Sequence, residues 1–317
     1  MKTFEQILVL NQADLKAYLT KFLKSYHYKA ISDNGFVYAK GTDPVLLVAH
    51  MDRHPNHKEL VKEIHKQEFV NEKKDTIEMR WSSPQGICGD DRCGVWAIMN
   101  LIKRGRRPSI LFCEDEEIGS VGAGKFCKTE YIKNLEVNYM IQIDRRGADD
   151  AVFYSCDTKE FKEWIDKESG FKEKIGTFTD ICKLMPESKI AGVNFSCGYY
   201  NEHTKEEYIV MEELNQTIDR IDSLLQKESK PYKYEAKKIA YTNYFSNYWD
   251  DYDDGIWGGR KWSKSKSKFD TEIKLVVCLE DGSEIESSGS TKPEAWMNLF
   301  MENDELSFGM VADYYYE

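Results

Sequence analysis

An α/β fold, with a mixed and mostly parallel sheet flanked by helices, follows from three features of residues 1–228. Three mostly apolar runs, at 44–49, 109–113 and 137–143, have strand length, and a strand that is apolar on both faces belongs inside a parallel sheet covered by helices. Segments with helical spacing lie around them, at 14–23, 95–102 and 210–225. Each run also delivers ionisable side chains at its end: His50-Met51-Asp52, Glu114-Asp115-Glu116-Glu117 and Asp144. The carboxyl ends of parallel strands share one edge, where open α/β sheets bind ligands.

The chain of 317 residues is long enough for one large domain and a smaller one. With 41% hydrophobic and 31% charged residues it reads as a globular protein in water, and a net charge of −11 argues against nucleic acid or an anionic membrane as partner. No run approaches the roughly 20 apolar residues of a membrane span, and the first residues lack a basic segment followed by an apolar one, so a cytoplasmic location is expected. The 8 cysteines form no C-x-x-C pair, which speaks for buried reduced thiols over a disulfide framework or thiolate zinc sites.

In chain order, Leu15, Tyr18, Leu19, Phe22 and Leu23 define an amphipathic helix over 14–23. Short strands at 28–31 and 36–39 flank the turn residues Asp33-Asn34-Gly35, and the strand 44–49 leads to His50. Residues 55–80 are polar and carry little signal beyond a strand near 75–81. Gly89-Asp90-Asp91-Arg92-Cys93-Gly94 then opens an apolar helix; an aspartate there caps free N–H groups, which accounts for one of the pair better than for both. The strand 109–113, a helix rich in small residues at 120–128, and the strand 137–143 follow. Further strands are expected at 152–155 and 190–195, with helices at 160–168 and 210–225.

Beyond residue 228 the composition changes. Residues 229–268 form a linker dense in tyrosine, tryptophan and charge, whose acidic knot at 250–254 lacks the glutamate of an EF-hand loop. Residues 269–317 read as a small module: a strand over 269–279, the turn Asp281-Gly282, a return strand over 284–287 and a helix carrying Trp296, Leu299 and Phe300.

The chemistry-bearing residues share one position in the pattern. His50, the pair Asp90 and Asp91, the pair Glu116 and Glu117, Asp144 and His203 each stand next to an apolar run. Two imidazoles and at least three carboxylates converging on one sheet edge suit a pair of zinc-like ions that share a bridging carboxylate.

His-x-Asp after a strand, Gly-Asp-Asp-x-x-Gly opening a helix, Asp-Glu-Glu-Ile-Gly, a lone Asp, and Gly-Tyr-x-x-x-His-Thr-x-x-Glu occur in this order between residues 10 and 225. Together they resemble the co-catalytic zinc aminopeptidase clan, the M20, M28 and M42 peptidases, and most closely its peptidase T-like tripeptidases and M42 glutamyl aminopeptidase-like members. The resemblance implies that His50, Asp90 and Asp144 hold one ion, and that Asp90, Glu117 and His203 hold the other. Asp90 is taken as the bridge because it lies four residues before Gly94. Asp52 would orient His50, and Glu116 would be the base. Two divalent ions are implied, zinc first and cobalt or manganese as alternatives, with short peptides as substrate and loss of the N-terminal residue as the reaction. An N-acyl amino acid deacylase on the same two-ion site, and a non-catalytic metal-binding scaffold, are the competing readings. The chain departs from the pattern by lacking the clan's lid and dimerisation insertion: 52 and 90 are close, and so are 144 and 203.

Lesser candidates are Tyr199 and Tyr200 as donors to an oxyanion, Arg145 and Arg146 for a substrate carboxylate, and Asp180 in Thr179-Asp180. His54, His57 and His65 lie in a polar stretch and read as solvated.

Overall fold

The computed structural model describes residues 2–71, 76–237, 273–279, 283–289, 299 and 311–316. The chain divides into two compact units, Met1–Tyr241 and Thr242–Glu317.

The first unit is built on an eight-stranded mixed sheet. Its strands are β1 (Ile31–Asp33), β2 (Phe36–Ala39), β3 (Val45–His50), β6 (Ser109–Cys113), β7 (Tyr139–Arg145), β8 (Asp150–Val152), β9 (Lys172–Lys174) and β10 (Gly192–Ser196). They run in the order β1-β2-β6-β3-β7-β10-β8-β9. The central four, β6, β3, β7 and β10, are mutually parallel. Every residue of β3, β6 and β10 is buried, as expected of strands covered on both faces.

Helix α3 (Gly89–Lys103) packs on β3 and β7 and carries α8 (Met211–Leu224) against it, while α7 (Asp180–Ser188), packed on α4 (Val121–Cys127) and α5 (Glu130–Lys133), also contacts both strands. At the N-terminus α1 (Phe4–Leu8) is closed by a reciprocal cap, in which Thr3 Oγ1 accepts from the Gln6 N–H and Gln6 Oε1 accepts from the Thr3 N–H. The following α2 (Gln12–Ser25) buries Leu15, Leu19, Phe22 and Leu23, the stripe read from its spacing. The strand expected at 28–31 begins only at Ile31, since Tyr28 instead buries its ring and donates its hydroxyl to the Pro108 carbonyl. The strand expected at 152–155 stops at Val152. Helix α6 (Lys159–Ser169) matches expectation to within a residue at each end.

A second, antiparallel sheet lies over the stretch that carried little signal. Its order is β11 (Tyr199–Tyr200), β12 (Tyr208–Val210), β5 (Thr76–Ser82), β4 (His65–Asn71). Strand β4 is exposed along nearly its whole length, so no apolar alternation marks it. Residues 229–237 lie along the first unit: Ile190 bridges to Lys233, Cys156 to Ala236, and Tyr232 is buried.

In the second unit, β13 (Ile273–Leu279) pairs antiparallel with β14 (Glu284–Gly289) and with β15 (Val311–Tyr316), giving the order β14-β13-β15. The hairpin was expected; β15 was not. Most of the proposed linker and of the final helix lies outside the described residues. Among the described residues no helix is long and apolar enough to cross a membrane.

Candidate metal centre

Strand register assembles the centre. Val48 on β3 is level with Gln142 on β7, so His50 and Asp144, two residues further on each strand, leave the sheet side by side. His50 is also paired with Cys113 on β6, which places the acids 114–117 on its other flank. The remaining groups arrive from the start of α3 and from the loop between β11 and β12.

His50 is buried and held from both ring nitrogens. Nδ1 is 3.1 Å from Asp52 Oδ1, and Nε2 is 2.9 Å from Asp90 Oδ1 and 3.7 Å from Asp144 Oδ1. The other Asp90 oxygen, Oδ2, is 3.2 Å from His203 Nε2, which is also 3.2 Å from Glu117 Oε2. Asp90 therefore touches one imidazole through each oxygen. The site opens toward His203, whose side chain is 41% exposed against 1% for His50.

The two adjacent aspartates divide the work. Asp91 Oδ1 accepts the Gly94 N–H at 2.8 Å and Oδ2 accepts the His50 N–H at 3.2 Å, so Asp91 caps the regular part of α3 and ties it to β3. Asp90 is left to face the histidines. Its own N–H donates to Glu207 Oε1 at 3.0 Å, and the Cys88 N–H donates to Glu207 Oε2 at 2.9 Å.

Surrounding bonds fix each acid. Asp52 Oδ1 accepts the Glu116 N–H and Oδ2 the Glu117 N–H, both at 3.0 Å. Asp144 Oδ2 accepts from Thr179 Oγ1 at 2.8 Å and from Gln142 Nε2 at 3.1 Å, while Oδ1 accepts from the Tyr199 hydroxyl at 3.1 Å. Tyr199 is thus committed to Asp144, and Tyr200 donates to Glu213 Oε2; neither phenol is a spare donor for an oxyanion.

The electrostatics are those of too many acids around too few cations. Burial opposes charge on the His50 ring, but Asp144 and Asp52 outweigh it and hold the imidazole well above its ordinary range. Burial likewise works against the His203 cation, and Asp90 with Glu117 override it, lifting His203 to about 11. Burial pushes Glu117 up to about 6, with the Asp90 charge adding to it and His203 opposing. Burial lifts Glu116 well above the usual carboxylate range; the His50 charge opposes this, and Asp144, Asp180 and Glu117 add to it. Burial raises Asp144 too, Asp90 contributing.

The residues fit divalent cations. Glu117 Oε1 is buried without a hydrogen-bond partner among the described residues. Two groups of donor atoms converge within 4.8 Å, one from His50, Asp90 and Asp144 and one from His54, Glu117 and His203. Imidazoles with hard carboxylates are a zinc-class donor set.

His54 and His57 depart from expectation. His54 is not simply solvated: its ring stacks on His203 with centroids 3.9 Å apart. His57 is drawn in beside Cys88 and Glu207, its side chain 3% exposed. His65 is exposed, as expected. Asp180 is fully buried, and burial carries it up to about 7. Arg145 and Arg146 are already engaged, Arg145 with Asp150 and the Ile175 carbonyl, Arg146 with Glu202. Glu207, quoted in the sequence motif without a role, is the brace beneath Asp90.

The mixed eight-stranded sheet flanked by helices is shared with several solved peptidase structures. The chain superposes on an aminopeptidase PepT from Bacillus cereus with a TM-score of 0.51 at 13% identity, over 70% of this chain and 96% of that one. A tripeptidase from Staphylococcus aureus gives a TM-score of 0.52 at 12% identity, covering 71% and 96%. A Zn-dependent exopeptidase from Parabacteroides distasonis gives 0.50 at 16%, covering 68% and 90%. At these identities the likeness is one of fold. No family model and no curated protein sequence matches the chain.

Proposed function

We propose that the protein is a metal-dependent exopeptidase that removes the N-terminal residue of short peptides, with His50, Asp90 and Asp144 holding one divalent ion and Asp90, Glu117 and His203 the other. The observation that carries this reading is the double engagement of Asp90, one oxygen toward His50 and the other toward His203, which is what a bridging carboxylate requires. Bound cations of the zinc class supply Lewis acidity, making a water acidic enough to attack near neutral pH and polarising a carbonyl.

The chain's own groups do the rest. Glu116 takes the proton of the attacking water and returns it to the leaving amine; its buried carboxyl feels the charges of His50, Asp144, Asp180 and Glu117. Asp52 accepts the His50 Nδ1–H, leaving Nε2 to face Asp90 and Asp144. The same carboxylate pins the backbone of Glu116 and Glu117. The acidic rim suits a free ammonium. A deacylase would need an uncommitted cation for a free carboxylate, and Arg145 and Arg146 are both spoken for.

Metal content per chain, measured beside hydrolysis of dipeptides, tripeptides and N-acyl amino acids, tests the reading. About two ions at these residues and release of N-terminal residues are expected; turnover of the acylated substrates alone would favour the deacylase, and bound metal without turnover the scaffold. Glu116→Gln should retain its metal and lose about 10²–10⁴-fold in turnover. A variant nearly as active as the parent would remove Glu116 from the role of base.

A further inference from the structure

Behind the Asp90 turn lies a second kind of donor cluster. His57 Nδ1 is 3.0 Å from Cys88 Sγ and 3.7 Å from Glu207 Oε2, and the three donor atoms lie within 4.8 Å of one another. All three side chains are nearly inaccessible, with His57 at 3% and Glu207 at 0% exposure and Cys88 buried. The His57 ring is wedged over Gly86, where a Cβ would stand 2.8 Å from the ring. Its other nitrogen, Nε2, is buried with no hydrogen-bond partner among the described residues. The ring also addresses the Thr204 backbone, which favours its proton.

The arrangement resembles a thiol–imidazole–carboxylate relay in composition but not in geometry. A relay needs the acid on the ring nitrogen opposite the thiol, whereas here sulfur and carboxylate both face Nδ1. Three different donor atoms aimed at one point describe a coordination site. In tetrahedral zinc sites, with Zn–N of about 2.0–2.1 Å and Zn–S of about 2.3 Å, neighbouring donors stand roughly 3.5 Å apart, close to the 3.0 and 3.7 Å found. Sulfur and imidazole together select a borderline-soft ion over magnesium or calcium.

The remaining contacts are compatible with this. Arg53 Nε donates to Cys88 Sγ at 2.9 Å and would balance the charge of a thiolate, while the thiol itself donates to the Gly86 carbonyl at 3.7 Å, the proton a bound ion would displace. Glu207 Oε2 already accepts the Cys88 N–H, and a carboxylate oxygen has a further lone pair for a cation.

We infer that His57 Nδ1, Cys88 Sγ and Glu207 Oε2 form a further site for one zinc-class divalent ion, structural in role, that clamps the segment after Asp52 to the turn carrying Asp90. On binding, the thiol proton leaves to solvent and an S–metal bond forms. None of its three ligands belongs to the His50, Asp90, Glu117, Asp144 and His203 set, and Glu207 joins the two places, since its Oε1 accepts the Asp90 N–H while Oε2 faces the new site.

The test is the full chain titrated with cobalt(II) alone, followed in the near ultraviolet. A thiolate-to-cobalt charge-transfer band is expected, since no ligand of the candidate centre contains sulfur. The band should vanish in Cys88→Ser and persist in Asp144→Asn, and zinc content should fall by one ion per chain in Cys88→Ser whatever the other centre holds. Where Cys88→Ser fails to fold, His57→Gln replaces it and should weaken cobalt binding at that band by at least about tenfold, the loss an outer partner alone can cause. A saturated parent protein without the band, or a band that survives Cys88→Ser, would overturn the assignment.

Discussion

Thr179 stands outside the candidate ligand set yet donates its hydroxyl to Asp144 Oδ2 at 2.8 Å, one of the three side-chain bonds that aim this carboxylate. Removing such an outer partner costs about 10–100-fold in metal affinity. Thr179→Val should show that loss in a chelator competition with an unchanged circular dichroism spectrum; unaltered affinity would mean that Gln142 and Tyr199 suffice. At this scale the sequence was informative where chemistry alone marks a residue. His50, Asp90, Glu117, Asp144 and His203 are acids or imidazoles at the ends of apolar runs, and the fold brings them together. His54 and His57 carried no such mark, because their neighbours 53–60 are polar, and what holds them in place is distant in sequence: His203 for one, Cys88 and Gly86 for the other. The division between Asp90 and Asp91 was only half legible, since a cap could be expected without knowing which of the two supplies it.

Among the elements, α3 depends on close approach at its first turn. A Cβ on Gly94 would lie 2.3 Å from the Ile143 carbonyl and 2.4 Å from Asp91 Oδ1, so Gly94→Ala must push the helix from β7 or dislodge the cap. Overpacking of this kind costs about 1–3 kcal/mol, readable as a shift in the urea midpoint together with weaker metal binding. A midpoint equal to that of the parent would show that the helix start can yield freely. Strands β3, β6 and β7 were legible because burial on both faces leaves a largely apolar run. Strand β4 was not, as its exposed residues His65-Lys66-Gln67-Glu68 have no apolar alternation to betray it. Helix α7 escaped notice for another reason: it carries Pro186 inside its last turns, and a proline ordinarily argues against a helix interior.

Over the whole molecule, the cluster of acids makes a statement about pH. Burial is the leading cause that raises Glu117 to about 6, Asp180 to about 7 and Glu207 to about 8, from ordinary values of 4.5, 3.8 and 4.5. Between pH 5 and 8 the folded chain without metal keeps protons that the unfolded chain has released, so its stability falls as pH rises. His203, lifted to about 11 against the cost of its burial by Asp90 and Glu117, keeps its proton over the upper part of the same window and acts in the same direction. Urea midpoints in the presence of chelator should therefore be lower at pH 8 than at pH 5. Added zinc should recover more stability at pH 8, because ligands must lose protons to bind it; a midpoint that climbs with pH would refute the electrostatic account. The central claim, that five separated pieces of chain meet to hold two ions through Asp90, is tested most directly by anomalous diffraction at the zinc edge from crystals grown with zinc. The account predicts one peak among His50, Asp90 and Asp144 and a second among Asp90, Glu117 and His203, and it is contradicted if either histidine borders no peak or if Asp90 lies against neither.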